Sequence, residues 1–351
     1  MKHSISLAII LLSLGFEVQA VDPPKKEEPV KVEVKPADLP KPAAVKPAEK
    51  KPEGKKEEPK PEAVKPAAPA TAEKKPEEKK DDKAPPAKAP EKPVPPPQPV
   101  GFKDPNLEAA VRTQVFAKKD NKEPLYASDV ESVAFIKGKG LKIRDLSGLE
   151  KCTSLAQLEL SENEIADLTP LKGLERLQYL DLAKNKVENI SVLGSLKALQ
   201  YLELSGNQVK DIKSLGDVPS LTSLYLGHNL IADASPVFKL PKVSSLYLEG
   251  NQIATLAGIG SLKWLGILSL SDNKLTDITP LESLNRLRFL FLEKNQISDL
   301  TALHRMLKKD MEGPRDFAPY LKVYLKDNPL SEDAKNKVEE IRVLHPSILS
   351  L

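Results

Sequence analysis

The sequence predicts an α/β solenoid: short parallel strands stacked turn upon turn, returning through 3₁₀ or tight-turn segments, with helix covering both ends. Three observations predict it. Asn163, Asn185, Asn207, Asn229, Asn251, Asn273 and Asn295 follow one another at a single constant interval, which sets the period of the chain. Two leucines stand ahead of each asparagine in fixed places, from Leu158 and Leu160 before Asn163 to Leu290 and Leu292 before Asn295. Between these blocks, apolar residues recur every third position, as at Leu168, Leu171, Leu174 and Leu177, which suits a 3₁₀ turn better than an α-helix.

The first 100 residues stand apart from this pattern. Residues 1–20 carry Lys2, an apolar run from Ile5 to Phe16, and Ala20 before an abrupt polar change. This is the form of a secretory signal peptide, with cleavage expected after Ala20. Residues 21–100 hold 21 of the 32 prolines, 19 lysines and 16 acidic residues, with no aromatic side chain. Such a segment has too little to bury to offset its ordering entropy, so it is expected to be a disordered, extended tether. Its excess of three positive charges equals that of the whole chain (53 Lys and Arg against 50 Asp and Glu), leaving residues 101–351 neutral. No basic stripe for nucleic acid follows from that balance.

Residues 101–132 are expected to form a helical cap. In DPNLEAAVR, Asp104 is placed to cap a helix, Pro105 to open it, and Leu107, Ala110 and Val111 to share one face. The repeats then run from 133 to 330 in about nine units. Counting back one period from the first complete unit gives Val133, Ile136, Gly138, Leu141, Ile143, Leu146, Leu149 and Cys152, a degenerate unit without its asparagine. Cys152 falls in the column of Leu174, Leu196 and Leu240, which predicts a buried small hydrophobe.

Strand alternation explains the leucine pattern. Leu180 and Leu182 point into the stack, while Tyr179, Asp181 and Ala183 point out. The chain then turns sharply, and a buried amide side chain satisfies the backbone groups left behind. Asn163, Asn185, Asn207, Asn229, Asn251, Asn273, Asn295 and Asn328 are therefore read as structural. The step from Asn295 to Asn328 is half as long again as the others, which marks an insertion with a helix expected through Met311. Residues 331–351 complete the fold as a capping helix begun by Ser331, burying Val338, Ile341 and Leu344 and closed by Pro346.

The unit LxxLxxLxLxxNxIxDIxPL resembles the leucine-rich repeat of this same period seen in bacterial internalin-type proteins. Its signature is carried by Asn163, Ile165, Asp167, Leu168, Pro170 and Leu171, and again by Asn273, Leu275, Asp277, Ile278, Pro280 and Leu281. The segment FKDPNLEAAVR also resembles the helical cap that precedes bacterial repeats of this kind. The resemblance covers residues 101–351. It implies a right-handed leucine-rich repeat solenoid with a parallel, concave β-sheet that binds another macromolecule.

Two outward columns lie on that sheet. One runs Gln157, Tyr179, Tyr201, Ser223, Ser245, Ile267, Phe289 and Lys322; the other runs Glu159, Asp181, Glu203, Tyr225, Tyr247, Ser269, Phe291 and Tyr324. Of the chain's 16 aromatic residues, seven fall here, where anchors of a protein interface are expected. Glu159, Asp181 and Glu203 add an acidic corner suited to a basic partner. The expected binding residues are Tyr179, Tyr201, Tyr225, Tyr247, Ile267, Phe289, Phe291, Tyr324, Glu159, Asp181 and Glu203. Serine at Tyr225, Tyr247 and Phe291 is expected to leave the fold intact. Trp264 is read as a structural residue of the return side.

No catalytic constellation is legible. His3, His228, His304 and His345 show no metal-ligand spacing, and GxSxG, HExxH and phosphate-cradling glycine motifs are lacking. No catalytic residue, metal or cofactor is therefore assigned, and the chain is read as not an enzyme. The reading is an exported, monomeric binding module, secreted or held in a bacterial periplasm or envelope. Its partner is expected to be a protein, with a glycan as the second choice. A non-catalytic architectural spacer of the cell envelope remains the other reading.

Overall fold

The computed structural model describes residues 98–351 except 345 and 347. The expected signal peptide and nearly all of the expected tether lie outside the described residues. Nine three-residue strands recur along the repeats: β1 Phe135–Lys137, β2 Gln157–Glu159, β3 Tyr179–Asp181, β4 Tyr201–Glu203, β5 Ser223–Tyr225, β6 Ser245–Tyr247, β7 Ile267–Ser269, β8 Phe289–Phe291 and β9 Lys322–Tyr324. A two-residue strand, β10 Leu349–Ser350, completes a sheet whose spatial order follows the chain. Every pairing is parallel and in register, so Leu158, Leu180, Leu202, Leu224, Leu246, Leu268 and Leu290 form one buried row. One turn of the coil therefore equals one period of the sequence.

The returns are short 3₁₀ helices, among them Thr169–Leu171, Ser191–Ser195, Lys213–Asp217, Ser235–Lys239 and Thr279–Ser283. Pro170, Pro236 and Pro280 occupy their first turns, where a fixed φ favours initiation. A carboxylate or amide two residues earlier accepts from the first backbone N–H: Asp167 from Thr169, Asn189 from Ser191, Asp211 from Lys213, Asp277 from Thr279. Hydrogen bonds from the hydroxyl and N–H of Thr279 hold the Asp277 carboxyl below the usual range. The leucines and isoleucines of each return join those of the strands in a single continuous core.

The asparagines form the second row. Asn207 accepts from the Val187 N–H at 2.9 Å and donates to the Leu182 and Leu204 carbonyls at 3.0 and 2.9 Å. One amide thus closes its own turn and ties it to the repeat before. Asn163, Asn185, Asn229, Asn251, Asn273 and Asn295 repeat the pattern, and Asn328 does so across the insertion. In the first unit Leu141 takes the asparagine position and is 42% exposed, not packed as a member of the core. A leucine has no amide to aim at the turn, so the side chain swings out and the ladder ends with Asn163 donating to the Gly138 carbonyl.

The residue before each asparagine adopts the left-handed region: Glu162, Lys184, Gly206, His228, Gly250, Asp272, Lys294 and Asp327. Glycine serves two of these eight turns and side-chain-bearing residues the rest, at a local cost of about 1–2 kcal/mol each. Gly250 has a packing role as well. A Cβ there would lie 2.3 Å from the His228 imidazole, so the histidine rests on the glycine of the next turn.

Helix α1, Pro105–Arg112, buries Leu107, Ala110 and Val111 against the first strand side of the stack. Asp104 caps it by accepting from Asn106 N and Leu107 N, and its second oxygen accepts from Arg144 N at 2.6 Å. The cap is thereby bonded to the first repeat. A short helix, α2 Ala127–Val130, follows. In the insertion, α3 Thr301–Met311 presents Leu303, Met306 and Leu307 to the core. Buried Asp310 then folds the connection back, its carboxylate accepting from the N–H groups of Asp316, Phe317 and Ala318.

Helix α4, Glu332–Leu344, begins at Ser331, whose hydroxyl accepts from Ala334 N. Val338 and Ile341 are buried, whereas Leu344 is only part-buried. The chain then continues past the expected capping helix into β10. Val323 N donates to the Ile348 carbonyl and Leu325 N to that of Ser350. A helix covers core but offers no ladder partner to a sheet edge, and β10 supplies one to β9.

Candidate functional site

The outward face of the sheet brings the sequence-expected residues together in two groups. Tyr179 and Tyr201 stack with ring centroids 4.2 Å apart. The row then crosses to the neighbouring column, where Tyr201 meets Tyr225 at 5.2 Å and Tyr225 stacks on Tyr247 at 4.5 Å. Beside the second pair the first column holds only Ser223 and Ser245. Farther along, Phe291 stacks on Tyr324 at 4.6 Å, with Phe289 alongside Phe291 at 6.3 Å. Ile267 and Ser269 of β7 separate the two aromatic groups.

Stacking changes the expected exposure. Tyr247 and Phe291 are 4% exposed and Ile267 7%, so these three do not face open solvent. Parallel strands are about 4.8 Å apart, close to the thickness needed for ring-on-ring contact, and each ring covers its neighbour. Tyr179, Tyr201, Tyr225, Phe289 and Tyr324 stay part-exposed along the outer edge of the two rows. Serine at Tyr225, Tyr247 and Phe291 therefore removes stacked, largely covered contact, where the sequence placed these side chains in open solvent.

The carboxylates divide in the same way. Glu159 pairs with Lys137 at 2.9 Å, and Gln157 donates to it. Asp181 and Glu203 instead accept from backbone: Ala183 N at 3.0 Å and Ser205 N at 2.7 Å. Burial pushes the Asp181 carboxyl up, with the Glu159 charge adding to it against the bonds from Ala183 and Ser161. Burial likewise pushes Glu203 up to about 7, opposed by Ser205 and reinforced by Asp181 and Glu249. The phenols follow: Tyr179 and Tyr225 rise to about 12 through burial and nearby carboxylates, and Tyr201 and Tyr247 are also raised.

Two contributors escaped the sequence reading. Glu249 lies one column beyond the two that were traced, two residues after Tyr247, and its Oε2 is buried without a protein hydrogen-bond partner. The signal was a gap: Gly227 occupies the same column one repeat earlier, and a Cβ there would lie 2.6 Å from Glu249 Oε1. Phe135 begins the first column in β1 and is 46% exposed. The degenerate first unit obscured it.

Elsewhere, Trp264 is 57% exposed with the Arg286 guanidinium 4.6 Å from its ring centroid. Cys152 is fully buried, and burial pushes its thiol up to about 12. His304 pairs with Glu340, tying α3 to α4. Among the described residues there is no group of three or more His, Cys, Asp and Glu that holds a metal, and no helix long and apolar enough to cross a membrane.

The family model for leucine-rich repeats in two copies matches residues 175–217, 219–261 and 265–303. Internalin C2 of Listeria monocytogenes shares 32% identity over 61% of this chain and 95% of that one, with a TM-score of 0.57. The chain belongs to the leucine-rich repeat family. A leucine-rich repeat protein of Leptospira interrogans shares 30% identity over 58% of this chain, with a TM-score of 0.51; the match spans half the length of that protein. The structure of PEPR1–AtPEP1 matches at 21% identity over 65% of this chain and 33% of that one, TM-score 0.51, a likeness of fold alone. No curated protein matches the chain. Its architecture is that of a leucine-rich repeat scaffold, and its face offers aromatic rings, carboxylates and small gaps.

Proposed function

We propose that this leucine-rich repeat chain is an exported, internalin-like binding module that holds a protein partner on the outward face of its sheet. The observation that carries the reading is the pair of aromatic rows, in which five rings keep an exposed edge on an otherwise regular scaffold. Aromatic rings are the usual anchors of protein interfaces, and rings already stacked lose little side-chain freedom on binding. Similarity to internalin C2 supports the class and an extracytoplasmic, bacterial setting. The signal-peptide form of residues 1–20 supports the same setting.

The test is selection of displayed peptides on the full chain, followed by binding of the winners to two variants. Ser245→Arg adds bulk and charge on the sheet face beside Tyr225 and Tyr247, while Trp264→Ala changes the return side. Loss of binding with Ser245→Arg and retention with Trp264→Ala is the expected result. Retention with Ser245→Arg moves the site off the sheet face, and failure to select any peptide removes the protein-binding reading.

A further inference from the structure

The middle of the sheet face carries negative charge with no cation of its own among the described residues around it. At the first strands the charges are matched: Glu159 has Lys137, and Glu162 has Lys139 and Lys184. Farther along, Glu203 is faced by Asp181 from β3, by Tyr201 and Ser205 of its own repeat, by Tyr225 from β5 and by Glu249 from the turn after β6. Among the described residues no lysine or arginine forms an ion pair with Glu203 or Glu249; Lys139 pairs with Glu162 and acts on Asp181. Glu249 leans over Gly227, whose missing side chain leaves the space its carboxylate occupies, and acts electrostatically on both Tyr225 and Tyr247.

We propose that this part of the face takes an extended segment of a partner protein bearing a lysine or arginine, whose cationic head seats at Glu203 and Glu249 beside the Tyr225 ring. The proposal rests on the protein-binding reading and adds its specificity. Charge complementarity supports it: Glu203 and Glu249 act on each other electrostatically and neither is ion-paired among the described residues, so a partner's cation meets two carboxylates without a competing cation, Ser205 N being a neutral donor to Glu203. The adjoining tyrosine faces suit the same group, because a guanidinium or ammonium is attracted to an aromatic ring as well as to a carboxylate. Ser223 and Ser245 leave room in the neighbouring column for the stem of a long side chain. A glutamate or an apolar side chain at that position meets repulsion or leaves the carboxylates desolvated and unpaired.

The site is also sensitive to acidity. A bound cation requires ionised Glu203, which burial disfavours, so seating a cation releases a proton and cation preference weakens as the pH falls below about 7.

The experiment uses the full chain and four pools of ten-residue peptides, randomised except at position five, which is lysine, arginine, norleucine or glutamate. At pH 8 the lysine and arginine pools are expected to bind at least tenfold more tightly than the norleucine pool and the glutamate pool more weakly still. At pH 5.5 the preference is expected to shrink to within threefold. The Glu203→Gln, Glu249→Gln chain, checked for an unchanged melting profile, is expected to bind lysine and norleucine pools alike; Glu249→Gln alone serves if the pair proves unstable. Equal binding of the lysine and norleucine pools to the native chain overturns the proposal. So does a lysine preference that survives both substitutions. If all pools bind alike and Ser245→Arg abolishes that binding, the cation site falls while the protein-binding face stands. If no pool binds, both fall.

Discussion

Asn207 shows what one side chain contributes in a repeat. Its amide makes three bonds to three backbone groups in two turns, all away from water. Asn207→Ala leaves the Leu182 and Leu204 carbonyls and the Val187 N–H without their partner, at an expected cost of about 2–4 kcal/mol. Asn328→Ala, at a part-buried end of the ladder, is expected to cost about half as much, because water reaches the orphaned groups. Denaturant midpoints of the two variants check the order. Glu203 ties the stability of the fold to pH. Its folded pKa lies near 7 and its unfolded value near 4.5, so between these the folded state holds more protons and stability falls as pH rises. The Glu203 contribution is expected to be on the order of 2–3 kcal/mol across that window, flat above pH 7. Urea unfolding of the native chain and of Glu203→Gln at pH 5 and pH 7.5 measures it; equal pH dependence in both rejects the assignment.

Each of the strands β1–β9, only three residues long, has one side chain aimed at the core and two aimed outward. In β5 the core position is Leu224, followed by Leu226 beyond the strand, both fully buried. Leu226→Ala is expected to cost about 2–5 kcal/mol by leaving a cavity in a stack that cannot collapse along its axis. Tyr247→Ser, on the outward face of β6, is expected to cost about 1–3 kcal/mol because the ring is stacked and nearly covered. Ser223→Ala is expected to change stability by less than about 0.5 kcal/mol. Thermal denaturation of the three ranks them, and a Tyr247→Ser variant as stable as Ser223→Ala would show that the stacked row carries no stability. The sequence showed which face every strand residue occupies, since faces follow from alternation. It did not show how outward rings share that face, since this depends on rotamers and on which neighbour is a serine or a glycine.

Across the whole molecule the sheet must end somewhere, and its two ends are managed differently. At the first strand, α1 is bonded to the repeats through Asp104. At the other end, α4 covers core while β10 pairs with the edge of β9. A chain ending at Leu344 loses the bonds from Val323 N and Leu325 N, leaving an open parallel edge. That chain is expected to self-associate at concentrations where the full chain does not, as read by sedimentation velocity. Identical sedimentation of the two would mean that α4 alone protects the edge.

The sequence by itself determined the period, the strand register, the buried leucine rows, the asparagine ladder and the helix at each end. These follow from nearest-neighbour stacking: a repeat that buries the same positions once in every period has one way to pair with its copy. Only the tertiary structure decided that Leu141 turns outward, that Tyr247 and Phe291 are covered, and that β10 closes the sheet. It also decided that Glu249 reaches over Gly227 toward the other carboxylates. Those outcomes depend on lateral contacts between columns, where the space left by one residue is filled by another a whole turn away. A repeating pattern records which side of the sheet a residue faces, and the packing of that side sets how much of it a partner can reach.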